Sequence, residues 1–114
     1  MDLNHLHFHV KDVAATASYY EKWFGFREHV CHGEILFLRN ADGFDLALAP
    51  DAEGSDFPTW FHFGFRLGSA AEVRDLHGRM TVERALVRPL HDDSDYVWFR
   101  CADPDGHAIE VYWE

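Results

Sequence analysis

The sequence predicts an α+β fold made of two βαβββ modules, and three observations carry that expectation. The stretch "HLHFHVKDVAATASYY" from His5 is echoed by "HFGFRLGSAAEVRDL" from His62. His5 to Asp12 and His62 to Ser69 both span seven positions, so each copy runs from an alternating strand to a residue able to cap a helix. Each copy then continues into short apolar runs divided by turn residues.

In "HLHFHV" successive side chains of an extended strand point to opposite faces, so His5, His7 and His9 share one face and Leu6, Phe8 and Val10 the other. Asp12 caps "VAATASYYEKWF", whose apolar stripe is Val13, Tyr20 and Phe24 and which Gly25 would end. The strands "FREHV", "EILFLR" and "FDLALA" follow, with "NADG" at 40–43 as a turn. Pro, Gly, Ser and Asp then collect in a linker at about residues 50–58, between a first module at about 3–49 and a second at about 59–114. In the second module Ser69 and Glu72 form a capping box for "AAEVRDLHGRM", with Val73, Leu76 and Met80 as its apolar stripe. Its strands are "ALVRPL", "YVWFRC" and "AIEVYW", separated by turns at "HDDSD" (91–95) and "DPDG" (103–106). In "DPDG" Pro104 fixes φ and Gly106 permits the positive φ that closes the turn. One helix per four strands covers one sheet face and would leave a curved, cup-like face open in a single domain.

Composition narrows the function classes. Of 114 residues, 47% are hydrophobic and 16% aromatic, which marks a globular chain. The net charge of −10, from 20 acids against 10 bases, argues against nucleic acid or an anionic membrane surface as partner. No apolar run approaches the ~18 residues of a membrane span. The first residues lack the basic and apolar regions of a signal peptide, so cytoplasmic residence is expected. Cys31 and Cys101 are too few for a disulfide framework and are expected reduced, packed as small apolar groups.

Alternation also sorts the strands' polar residues. If each apolar set lies under its helix, the cup receives His5, His7 and His9, then Asp45, then Trp60, His62 and Arg66, and finally Glu110 and Tyr112. Taken singly, such groups are ordinary surface polar residues. Taken together, two imidazoles with one or two carboxylates suit one divalent metal per site, Fe, Mn, Ni or Zn, acting as a Lewis acid. His5, His62 and Glu110 are the candidate ligands. Asp45 is a fourth, because it stands where Glu110 stands in the second copy, although "DGFDLA" could equally use it in a turn. Glu110, His7 and His9 are the candidate catalytic groups, the two histidines as ligand-orienting groups or general bases unless they are bystanders. Trp60, Tyr96, Trp98 and Tyr112 would line a pocket for a flat small molecule or bury a dimer seam. Arg66 and Arg100 would bind a substrate oxyanion or pair with the chain's acids.

The segments "LNHLHFHVKDVAATASYYEKWFGF", "WFHFGFRLGSAAEV" and "CADPDGHAIEVYW" resemble the three signature regions of the vicinal oxygen chelate superfamily. That superfamily includes glyoxalase I, fosfomycin-modifying thiol transferases, extradiol ring-cleaving dioxygenases and bleomycin-binding resistance proteins. The resemblance implies paired βαβββ modules around a divalent metal, with His5, His62 and Glu110 as ligands and Asp45 at glyoxalase I's additional one. It also implies a homodimer and a small-molecule substrate. The departures are specific. His9 replaces the Arg that glyoxalase I uses for the glutathione carboxylate, and Glu114 ends the chain before any phosphonate clamp. Arg100 stands where extradiol dioxygenases carry Tyr. The implied function is a metal-dependent lyase, isomerase or dioxygenase acting on a small oxygenated substrate. The alternative is a non-catalytic protein that binds a drug or natural product in an aromatic cup.

Overall fold

Two helices with well-defined ends organise the chain. The computed structural model describes all residues, 1–114, and they divide into two compact units, Met1–Asp56 and Phe57–Glu114.

The first unit contains β1 (His5–Val10), α1 (Val13–Phe24), β2 (Arg27–His32), β3 (Ile35–Arg39) and β4 (Asp45–Pro50). Its sheet order is β1-β4-β3-β2; β1 and β4 run parallel and the other pairs antiparallel. Asp12 begins α1 with its side chain accepting from the Ala15 N–H at 3.0 Å. Gly25 ends it at φ +71°, the left-handed conformation that glycine adopts without a Cβ penalty. Tyr20, Ala17 and Thr16 are the helix's buried residues, and Phe8, Val10, Leu46 and Leu48 are buried on the strands. His5, His7 and His9 stay exposed, as the alternation of β1 requires. Beyond β4, the Ser55 hydroxyl donates to the His9 carbonyl at 3.0 Å and the Asp51 N–H to the Val10 carbonyl at 2.9 Å, so the segment folds back on the end of β1.

The second unit contains β5 (Phe63–Arg66), α2 (Ala70–Val82), β6 (His91–Asp92), β7 (Val97–Ala102) and β8 (Ala108–Trp113), in the order β5-β8-β7-β6. Here β5 is parallel to β8, and β7 is antiparallel to both β8 and β6. Ser69 caps α2, its hydroxyl oxygen accepting from the Glu72 N–H at 3.2 Å. Val73, Leu76 and Met80 are buried on α2, as are Val97, Phe99, Ile109 and Val111 on the two central strands. No helix in the chain is long and apolar enough to cross a membrane.

Two expectations are corrected. Residues 85–90, "ALVRPL", form no regular strand. They make one bridge, Val87 to Cys101, with the Arg88 N–H donating to the Arg100 carbonyl at 2.8 Å and the Ala102 N–H to the Leu86 carbonyl at 3.1 Å. Pro89 has no N–H to extend that ladder. The short strand β6 falls instead at His91–Asp92, inside the expected turn, where Arg74 of α2 grips Asp92 through two hydrogen bonds of 2.7 and 2.9 Å. The second correction concerns Cys31, which is free as expected but exposed, because every residue of the outer strand β2 is exposed. Cys101 is free and buried.

These packing assignments set an order of sensitivities. Leu46→Ala is expected to lower unfolding stability by about 2–5 kcal/mol, the range for truncating a buried leucine. Asp12→Ala, which removes only a cap, should lose about 1 kcal/mol. Urea denaturation monitored by circular dichroism checks both, and equal losses would contradict the burial pattern.

Candidate functional site

The second unit assembles most of the candidate residues on one sheet face. In β8, Ile109 and Val111 are buried, so Ala108, Glu110 and Tyr112 take the opposite face. Register places Arg100 beside Glu110 and Trp98 beside Tyr112 from β7, and Gly64 beside Glu110 from β5. Two residues before Gly64, His62 shares its face. A Cβ at position 64 would lie 3.1 Å from the Glu110 carbonyl oxygen, a tighter approach than side chains ordinarily make. Glycine therefore lets β5 sit close to the strand that carries the carboxylate.

Glu110 is held at both oxygens. Tyr96 donates its hydroxyl to Oε1 at 2.8 Å, and His62 Nε2 lies 2.9 Å from Oε2. The hydrogen bond to Glu110 pushes the Tyr96 phenol up to about 12, with burial adding in the same direction, so the phenol is a standing donor at neutral pH. Around this trio lies an aromatic wall. Tyr96 is 6.2 Å from Trp98 and 6.4 Å from Tyr112 between ring centroids, and His91 stacks on Trp98 at 4.1 Å and 6°. Arg100 Cζ stands 6.0 Å from the Trp98 ring.

The first unit places its candidates differently. His5 and Asp45 are register neighbours on β1 and β4. His5 Nδ1 is 2.8 Å from Asn4 Oδ1, while Asp45 accepts both Nε and Nη2 of Arg39, at 2.6 and 2.8 Å. That guanidinium holds the Asp45 carboxyl below the usual carboxylate range. His9 Nδ1 is 2.8 Å from Asp51 Oδ2, and the His7 and His9 ring centroids are 5.8 Å apart.

Register also corrects the expected equivalence of Asp45 and Glu110. If His5 and His62 correspond, His7 corresponds to Gly64. His7 faces Ala47 and Gly64 faces Glu110, so the counterpart of Glu110 is Ala47, and Asp45 corresponds to Ala108. Sequence alternation finds the face of a residue but not its rung, which here differs by two.

Of two further candidates, Trp60 lies apart from the Glu110 cluster and Arg66 is the register partner of Tyr112. Trp60 is 77% exposed and packs edge-on against Phe61, and Arg66 donates to the Glu114 carbonyl at 3.0 Å. No three His, Cys, Asp or Glu side chains converge in the chain as a ready metal cage. Does the His62–Glu110 pair suit an ion? Two donors about 3 Å apart match neighbouring ligands at about 2.1 Å from one divalent metal. The nitrogen–oxygen donor set suits the Zn or Fe class, so the pair fits as part of a ligand set.

Sequence reasoning assigned no role to His107. It is buried with Asp103, Nδ1 to Oδ2 at 2.9 Å, and Phe57 stacks on its ring at 4.1 Å. Asp103 Oδ1 also accepts the N–H groups of Asp105 and His107, each at 3.0 Å, fixing the turn that starts β8 three residues before Glu110. The four-residue spacing across "DPDGH" was the available signal. Elsewhere, His29 and His32 lie on β2, and His77 Nε2 is 2.9 Å from the Arg88 carbonyl oxygen.

Comparison with known proteins places the fold and the family. The uncharacterized protein PA2024 of Pseudomonas aeruginosa is 30% identical over 95% of this chain and 85% of its own length. The structure of a possible glyoxalase from Bacillus cereus superposes with a TM-score of 0.85 at 32% identity, covering 97% of both chains. The fosfomycin resistance protein FosX of Listeria monocytogenes superposes with a TM-score of 0.86 at 20% identity, over 100% of this chain and 93% of that one, a likeness of fold. The family profile described as Glyoxalase/Bleomycin resistance protein/Dioxygenase superfamily matches residues 2–111, and to that superfamily the chain belongs.

Proposed function

We propose that this protein is a metal-dependent enzyme that acts on a small substrate with adjacent oxygen atoms. The observation that carries the reading is the His62–Glu110 pair, 2.9 Å apart and braced by Tyr96. The ligand set assigned is His62, Glu110 and His5, with Asp45 or water in the fourth position. Asp45 would have to release Arg39 to join it. A divalent ion bound there supplies Lewis acidity to the substrate oxygens.

The chain's own groups do the remaining work. Tyr96 occupies Oε1 of Glu110 and so leaves Oε2 on the His62 side. Tyr96, Trp98 and Tyr112 offer a flat apolar surface to the body of the substrate. His7, exposed on β1, is the candidate proton acceptor of that strand, whereas His9 is engaged with Asp51. Lyase or isomerase chemistry goes with a fourth carboxylate ligand, and oxygen insertion with only three protein ligands. The reading includes a homodimer in the cytoplasm. The aromatic wall also supports a second reading, a binding protein for a flat drug or natural product without catalysis.

Elemental analysis of the protein as purified separates these readings. The enzyme reading expects about one divalent ion per site and at least a tenfold lower content in His62→Ala and Glu110→Ala, with circular dichroism unchanged. Full metal retention in both variants would refute the ligand assignment. Absence of metal, together with binding of a planar dye in a fluorescence titration, would favour the binding protein.

Tyr96 adds a pH test. Its folded value of about 12 lies above the ~10 of an unfolded tyrosine, so its contribution is complete below about pH 10 and is lost as pH rises through 12. Tyr96→Phe is expected to lower stability by about 1 kcal/mol at neutral pH, with the gap from the unaltered chain closing above about pH 10. Urea midpoints of both proteins across that range check it; a gap that widens with pH would contradict the hydrogen bond.

A further inference from the structure

A recess of about 540 Å³ opens on the second unit, with Arg88, Arg100, Leu86, Val87, Ala102 and Ala108 among its lining residues. Two of its lining residues, Arg88 and Arg100, are cations, and neither is neutralised by an acid. Arg39, Arg74 and Arg79 each hold an aspartate, whereas Arg88 and Arg100 hold no carboxylate. Glu110, beside Arg100 in register, already has one oxygen against Tyr96 and the other against His62. Arg100 Nε is buried with no hydrogen-bond partner at all, a costly state for a guanidinium N–H. The backbone bond from the Arg88 N–H to the Arg100 carbonyl, 2.8 Å long, fixes the two residues side by side. An acidic protein of net charge −10 thus keeps two guanidinium groups without a carboxylate at one recess of mixed polar and apolar lining.

We propose that this recess binds the anionic end of a small organic acid. A guanidinium presents forked N–H donors that match the paired oxygens of a carboxylate or phosphonate. Leu86, Val87, Ala102 and Ala108 provide an apolar lining for the hydrocarbon next to that group. Because Arg100 neighbours Glu110, the inference rests on the proposed reacting face and gives its substrate a charge: an oxyanion at one end and the reacting oxygens near His62 and Glu110.

The test is calorimetric titration of EDTA-treated protein with benzoate, phenylphosphonate and the neutral isostere benzamide. Both anions are expected to bind at least about tenfold more tightly than benzamide, less so at high salt. Whichever anion binds more tightly identifies carboxylate or phosphonate as the preferred group. Arg88→Gln and Arg100→Gln should each weaken anion binding about tenfold, and Arg100→Lys should restore part of the loss. Equal binding of benzamide and the anions, no binding of any probe, or undiminished benzoate binding by folded Arg100→Gln would overturn the inference. Since the metal is removed beforehand, anion binding that survives while elemental analysis finds no native metal would sink the metalloenzyme reading alone.

Discussion

The parallel pairing of β5 with β8 is the constraint on which the candidate site depends. Two strands far apart in sequence come together only because a helix returns the chain to the same sheet, and α2 does so with its capped start and its buried stripe. Once paired, the strands have no freedom in what faces what. Ile109 and Val111 must go into the core, which turns Glu110 the other way, and Gly64 across from it allows the close approach. The carboxylate stands on β8, the imidazole and phenol reach it from the residues just before β5 and β7, and the buried Asp103–His107 turn anchors β8 itself.

The two modules share a fold but have diverged in chemistry. In the second, a carboxylate meets a phenol and an imidazole, groups that leave it able to exchange partners. In the first, Asp45 is locked by a bidentate guanidinium. A paired carboxylate of that kind gives up its partner only at a cost, because the arginine would lose its acceptor too. The module with the exchangeable carboxylate is also the one with the aromatic wall and with Arg88 and Arg100, which hold no carboxylate.

Much of this arrangement was legible in the residues. The helix ends follow from Asp12, Gly25 and Ser69, since capping is local chemistry and depends on few neighbours. The faces of His5 and Glu110 follow from period-two alternation, which burial of Phe8, Val10, Ile109 and Val111 enforces, whereas Phe61 and Phe63 beside His62 are only half-buried. What alternation does not carry is the rung at which strands pair, and so Asp45 looked equivalent to Glu110 although register makes Ala47 its counterpart. Pairings between side chains distant in sequence were equally hidden: nothing in "FDLALA" announces Arg39, and nothing in "HDDSD" announces Arg74. Trp60 alternated correctly with its neighbours but lies before β5 begins, where no strand partner fixes its direction.

The outer strands have a bearing on solubility at high concentration. An unpaired edge is a template onto which another polypeptide can add and start a fibril. β6 offers only two residues of such edge, and Pro89 just before it removes an amide that an incoming strand would require. β2 is longer, but its ladder is interrupted between Glu28 and Val30, and it begins with the charged Arg27 and Glu28. At these two edges the irregularities work against the addition of a further strand.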